Sequence, residues 1–232
     1  MAKRPVFLAD KSKVIDVQVD FDWFPGFAPS QKQKSIQSLH ENFSEKCPDK
    51  KILEVSSKSE LTLGVSLSAF NLSINHSNQI ISFESFFQGS KVFEKGGPYT
   101  DIYFKTPREA KQDTRLKDSG EIIGFNYKGE NWINEPKTFF YDWMYMSTVV
   151  KQEDLFNQLI QYDAFTDIEF NPKKSINCQA KAAALIVSLH KSGDLQKVLE
   201  KPENLLTYYP ENKALHKTKI KEEDKSEQMK LF

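Results

Sequence analysis

The sequence predicts an α+β fold, mainly α-helical, with a short N-terminal β region, and three observations carry that expectation. Near the N-terminus the chain alternates apolar and polar residues with β-branched character, as in Val14-Ile15-Asp16-Val17-Gln18-Val19. From Ser30 onward, many segments place apolar residues at spacings of three and four between recognisable caps, the period of a helix. Beyond about Asn212 the chain is dense in Lys, Glu and Asp, a composition that buries too little apolar surface to offset ordering entropy. A domain over residues 1–210 and a disordered, flexible charged tail over 211–232 are therefore expected.

Taken in order, residues 3–27 read as short extended pieces that end in the turn Trp23-Phe24-Pro25-Gly26-Phe27. Ser30 is the expected N-cap of a helix to about Phe43, with Ile36, Leu39 and Phe43 on its apolar stripe. Residues 52–74 read as β: Ile52-Leu53-Glu54-Val55 and Leu61-Thr62-Leu63-Gly64-Val65-Ser66-Leu67 both alternate, and Gln79–Phe83 alternates again. A helix is expected from about Glu84 until Gly96-Gly97-Pro98 stops it. Thr106-Pro107-Arg108-Glu109 combines Pro at the first helical position with a Thr-x-x-Glu capping box, and Ser119-Gly120 closes that helix. Further helices are expected over about 137–150, 152–161, 176–191 and 194–200, with a loop from Asp167 to Lys174.

Composition bounds the function. The 32 basic and 32 acidic residues cancel, which disfavours a protein that grips long duplex DNA by charge but leaves room for one nucleotide in a pocket. No apolar run reaches the length of a membrane span, and the basic start Met1-Ala2-Lys3-Arg4-Pro5 has no apolar segment behind it. Cys47 and Cys178 are far apart and without metal-ligand company, which fits a reducing cytoplasm. His40, His76, His190 and His216 are scattered, so neither a zinc site nor another metal or cofactor is expected.

Three segments carry chemistry-bearing side chains. On a helix, Glu84, Gln88 and Lys91 share one face, flanked by Phe83 and Phe87 on one side and Val92 on the other. Such a polar stripe suits either a pocket wall or a salt-bridged surface. In a pocket, desolvation would make the lysine nucleophilic and the carboxylate a usable acid or base. Asp167 and Glu169 alternate with apolar residues ahead of Asn177 and Gln179, which sit at a helix N-terminus suited to a phosphate or ribose hydroxyl, or simply to capping. In Lys137–Met146, core packing competes with base stacking by Tyr141, Trp143 or Tyr145, with Trp143 carried as the candidate.

These residues carry a resemblance. Phe83-Glu84-Ser85-Phe86-Phe87-Gln88-Gly89-Ser90-Lys91 resembles the Glu-His-Ala-Phe-Gln-Ala-Ala-Lys element of NADAR proteins, the YbiA-like N-glycosidases. Ser68-Ala69-Phe70-Asn71 resembles the family's Ser-Asn-Phe segment, and Thr106–Lys111 its Ser-Pro-x-Glu-Ala-Lys helix start. Asp167 and Asn177 fall where the family has an Asp and then Gly-x-Asn. The stretches Phe27–His40, through Tyr99, and Ala164–Gln179 are similar to the NADAR antitoxins paired with DarT-type toxins, and the likeness covers about residues 3–200. Ser85 stands where the family usually has His, and Ile168-Glu169 where it has Trp-Gly, departures that favour the antitoxin branch.

The resemblance implies a single NADAR domain that hydrolyses the bond between ADP-ribose and guanine in DNA, single-stranded where the partner toxin attached it. Together with the side-chain patterns above, from which Trp143 comes, it points to Glu84, Lys91 and Asp167 as catalytic, and to Ser68, Phe70, Asn71, Gln88, Tyr99, Trp143, Asn177 and Gln179 as substrate-binding. A YbiA-like glycosidase acting on a free nucleotide, and a non-catalytic module that binds ADP-ribose or sequesters the toxin, stay open. Finally, Gln228-Met229-Lys230-Leu231-Phe232 resembles the Gln-Leu-x-Leu-Phe peptide that docks on the bacterial sliding clamp, with Gln228, Met229, Leu231 and Phe232 as its anchors.

Overall fold

The computed structural model describes residues 1–11, 13–26, 28–173 and 175–209. The charged tail and the clamp-like peptide lie outside the described residues.

The N-terminal β region is longer than the sequence suggests. Strands β1 (Ala2–Asp10) and β2 (Lys13–Phe21) pair antiparallel over their full nine residues. Two short strands complete the sheet: β3 (Ile52–Glu54) and β9 (Ala164–Thr166) run parallel to each other, in the order β2-β1-β9-β3. The period-two geometry of a strand sends alternate side chains to opposite faces. Val6 and Ala164 accordingly join Ile36, Leu39 and Phe43 of helix α1 (Pro29–Lys46), while Phe7, Ala9 and Phe165 join the main core. Against that second face packs α8 (Gln179–Ser192), whose Ala180, Ala182, Ala183 and Ala184 let the backbone approach closely.

The remainder builds outward from α8. Helix α6 (Phe139–Val150) lies against it, with α7 (Glu153–Leu159) and α9 (Leu195–Glu200) alongside. A hairpin of β4 (Ser73–His76) and β5 (Gln79–Ser82) leads into α3 (Phe83–Gly89), and β6 (Lys91–Phe93), β7 (Ile122–Tyr127) and β8 (Glu130–Ile133) form a third, antiparallel sheet. No helix of the described residues is long and apolar enough to cross a membrane.

Several sequence expectations are corrected. The alternating stretch 61–67 is not a strand: α2 (Thr62–Ser66) is helical and buries Leu63 and Gly64. Tertiary packing overrides the alternation, because a Cβ at Gly64 would run into the Glu54 carbonyl oxygen and the Ser59 side chain. Helix α1 begins two residues earlier than a Ser30 cap implies, with Ala28 as N-cap and Pro29 in the first turn, where its missing N–H costs nothing. The capping box at Thr106 and Glu109 is present, yet the helix it opens breaks at Asp113 into α4 (Pro107–Gln112) and α5 (Arg115–Asp118). Asp113 supplies the reason: its carboxylate accepts from Arg115 N–H at 3.1 Å and from Lys105 Nζ at 2.6 Å. Strands β7 and β8 carry no period strong enough to have been read from sequence.

Most consequential is the early end of α3. It stops at Gly89 rather than at Gly96, because Ser90 turns its hydroxyl back onto the Phe86 carbonyl at 2.8 Å and β7 takes over the backbone through Asn126 N–H to Ser90 O at 2.8 Å. Lys91 is therefore the first residue of a strand, paired with Phe125, and not the last of a helical stripe.

Candidate active site

A cavity of about 740 Å³ opens between α3, the α2–β4 loop, α4, α6 and the loop after β9. That size lies within the range of ~300–1,000 Å³ typical of small-ligand clefts. Of the residues singled out from sequence, Ser68, Phe70, Glu84, Gln88, Lys91, Asp167, Asn177 and Gln179 line it.

The α3 wall is built from the N-cap upward. Ser82 caps the helix by accepting from Ser85 N–H at 3.0 Å, and Ser85, in the place of the family's His, donates to Lys105 O at 2.8 Å. Every residue of α3 is buried, so its polar face meets the cavity rather than bulk water. Glu84 and Gln88 are only 6% and 7% exposed. Gln88 Nε2 donates to Glu84 Oε1 at 2.8 Å, and Lys91 Nζ donates to Gln88 Oε1 at 2.6 Å, a continuous carboxylate–amide–amine chain. Although Lys91 lies beyond the helix, the turn at Ser90 keeps its side chain within reach. Burial pulls its ammonium down to about 8, partly opposed by the Glu84 charge and reinforced by Lys111. Lys111 Nζ, on α4, stands 3.8 Å from Glu84 Oε1 and also lies over the Phe70 ring at 5.6 Å, so α4 and the rim aromatic meet across the cavity mouth.

The opposite wall is the loop after β9. Asp167 Oδ1 accepts from the N–H groups of Glu169 at 3.0 Å and Phe170 at 3.1 Å, a local turn that fixes the carboxylate. Desolvation, with Glu54 nearby, holds its carboxyl well above the usual carboxylate range. Glu169 accepts from Ser57 Oγ at 3.0 Å and ties this loop to the chain after β3.

Gln179 does not present a free amide. Its Oε1 accepts from Ala69 N–H at 2.6 Å and its Nε2 donates to Val55 O at 2.7 Å, so it stitches the two loops that flank the cavity. Ser68 Oγ donates to Val65 O at 2.7 Å and accepts from Asn71 Nδ2 at 2.8 Å; Asn71, itself exposed, thus braces the wall serine and does not line the cavity. Asn177 Oδ1 is buried without a hydrogen-bond partner among the described residues.

Tyr99 and Trp143 are not brought to the cavity. Tyr99 bonds Ser119 at 2.6 Å and lies under the Arg115 guanidinium, a packing contact set by the chain reversal at Gly96. Trp143 packs at a tilt against Trp132 with ring centroids 4.3 Å apart and meets Tyr127 edge-on, because its position on α6 faces the third sheet. The tyrosine two residues earlier points the other way: Tyr141 lines the cavity, buried, its phenol pushed well above its ordinary value and so neutral, an O–H available as a hydrogen-bond donor. Helical spacing separates the two faces, but only the fold says which one the site uses. Two further lysines line the cavity: Lys58, which carries no sequence pattern, and Lys111, which ends the Thr106–Lys111 motif but was not among the expected site residues.

The fold and the cavity define one class of protein: an α+β domain whose cleft is lined by a buried carboxylate and a desolvated lysine. Within that class the chain belongs to the NADAR family of DarT1-associated antitoxins, whose family model matches residues 2–219. A search of curated proteins finds no match.

Proposed function

We propose that this antitoxin is an N-glycosidase that removes ADP-ribose from guanine in DNA, reversing the modification made by a DarT-type toxin. The observation that carries the reading is the Glu84–Gln88–Lys91 chain on the cavity wall, facing Asp167 across the cleft. Family membership as a toxin-associated antitoxin agrees with it.

The chemistry is direct. The bond from C1 of the ribose to the guanine nitrogen breaks, its electron pair leaves with the base, and the base nitrogen takes a proton. Positive charge develops on C1 and the ring oxygen, which the Asp167 carboxyl stabilises in its ionised form, present above its raised midpoint. Glu84 delivers the proton in its acid form, or as carboxylate takes one from the attacking water. Lys91, near neutrality through burial, has a usable fraction of free amine. Its lone pair adds to the aldehyde carbon of the opened sugar, water is lost to give an imine, and hydrolysis returns lysine and ADP-ribose. Lys58 and Lys111 offer cations to the diphosphate, and Phe70, 40% exposed at the rim, offers a face to a base.

The deciding experiment uses substoichiometric protein and an oligonucleotide carrying ADP-ribosylated guanine. Release of many equivalents of free ADP-ribose is expected. Stoichiometric retention without release would replace the enzyme with a binding module, and release from free nucleotides alone would make it a metabolic glycosidase.

A further inference from the structure

Behind Asp167 lies a second carboxylate that the proposed chemistry does not use. Glu54 ends β3 and is 2% exposed. Its two oxygens reach the residues on either side of Asp167: Oε2 accepts from Thr166 Oγ1 at 2.6 Å, and Oε1 from Ile168 N–H at 2.8 Å. The neighbouring Val55 N–H holds the Thr166 carbonyl at 2.8 Å. From the far side, His40 of α1 lies with Nε2 2.8 Å from Thr166 Oγ1. The threonine proton is already given to Glu54, so His40 donates from Nε2, and burial keeps the imidazole neutral by lowering it to about 4.

Burying an acid is costly, and hydrogen bonds alone do not require one. A glutamine would serve the Ile168 N–H equally well. The carboxyl at this position differs from an amide chiefly in the charge it puts beside Asp167.

We propose that Glu54 is the positioning residue of the site: it clamps the chain on both sides of Asp167 and, by its own charge, sets the protonation of the Asp167 carboxyl that faces the cavity. The assignment rests on the reading of Asp167 as a group that acts on the bound sugar. Both carboxyls are raised, chiefly by burial, and Glu54 raises Asp167 further as a neighbouring like charge. Glu84 and Lys91 stand on the opposite wall of the cleft, joined to each other through Gln88, and the remaining groups around Asp167 do not compete for this role. Tyr141 and Tyr145 of α6 and Cys178 before α8 are all pushed upward and stay neutral, and Glu169 is exposed and screened by solvent.

Carboxyl-carbon NMR titration of the free protein tests this without any substrate. In the wild type, Glu54 and Asp167 are expected to titrate as a linked pair, each signal showing two steps at shared midpoints. In Glu54→Gln, the amide can keep Ile168 N–H on its oxygen and donate to Thr166, whose proton then turns to His40. The Asp167 midpoint is expected to fall by about one pH unit once the like charge is gone. Independent single-step titrations in the wild type, or an unmoved Asp167 midpoint in folded Glu54→Gln, overturn the assignment. The pH profile of kcat on ADP-ribosylated DNA is measured in parallel, with Glu84→Gln as an inactive reference. Its limb is expected to follow the Asp167 midpoint while KM holds. A shifted titration with an unshifted profile leaves the Glu54–Asp167 coupling in place and removes Asp167 from the reaction.

Discussion

Lys91 is held by a compromise between burial and one good hydrogen bond, and that compromise is measurable. Its ammonium is lowered to about 8 in the folded chain against an ordinary 10.5. Below pH 8 both folded and unfolded chains bind the proton, and the folded state carries the full cost of burying it. Between about 8 and 10.5 the unfolded chain binds more protons than the folded one, so stability contributed at this site rises with pH. Lys91→Met is therefore expected to raise Tm at pH 7 by a few degrees, ~2–4 °C for a chain of this size, with the gain vanishing by pH 10. A gain that grows with pH in scanning calorimetry would contradict the burial argument. For catalysis, Glu84→Gln and Lys91→Ala are each expected to slow ADP-ribose release by at least ~100-fold with unchanged circular dichroism. Borohydride added during turnover is expected to leave a reduced ADP-ribose adduct on Lys91. Active enzyme with no adduct by intact mass would leave direct hydrolysis through Glu84.

At the scale of elements, the short helix α3 decides where the lysine goes. Gly89 closes it where the Tyr103 ring packs against the backbone: a Cβ there would stand 2.6 Å from Tyr103 Cδ1 and 2.9 Å from the Tyr99 carbonyl oxygen. Both neighbours are fixed, Tyr103 by its stack on Phe86 at 4.4 Å and Tyr99 O by the Ile102 N–H at 3.0 Å. Gly89→Ala is accordingly expected to cost about 1–3 kcal/mol of stability, the range for overpacking a filled core, and to lower kcat by displacing Lys91 from Gln88. Urea unfolding gives the first quantity and single-turnover release the second. An unperturbed midpoint would mean that the Tyr103 segment gives way freely. The same element shows how far a sequence pattern reaches. Spacing correctly placed Glu84 and Gln88 on one helical face, but it extended the helix through Lys91, since nothing local announces that β7 will claim the Ser90 carbonyl.

For the whole molecule, equal numbers of basic and acidic residues give no net positive charge to draw it to nucleic acid, so the proposed action on DNA would call for a device other than net charge. The segment Gln228-Met229-Lys230-Leu231-Phe232, outside the described residues, is proposed to supply it by docking on the sliding clamp, which would raise the local concentration of enzyme at replicating DNA. A peptide of residues 224–232 is expected to bind the clamp at roughly micromolar Kd, about −8 kcal/mol. Combined Leu231→Ala and Phe232→Ala should abolish clamp binding by the full chain and leave release from free oligonucleotides unchanged. Absence of binding by the full chain at high micromolar concentration would remove the tether.

What the sequence determined by itself was local. The capping box at Thr106, the apolar stripe of α1, the alanine-rich α8 and the α3 motif were all legible, because caps and periods are written within a few residues. The family followed from such motifs in their order along the chain. Tertiary structure alone decided which polar groups meet the cavity and which are spent on holding it. Gln179 and Asn71 look like binding residues in sequence and are engaged with backbone or a wall serine. Trp143 and Tyr141 lie on one helix but face opposite neighbours. Glu54 and Asp167, over a hundred residues apart, meet because β3 and β9 run in parallel. Hydrogen-bond satisfaction and the pairing of distant strands are properties of the assembled chain, and no local window contains them.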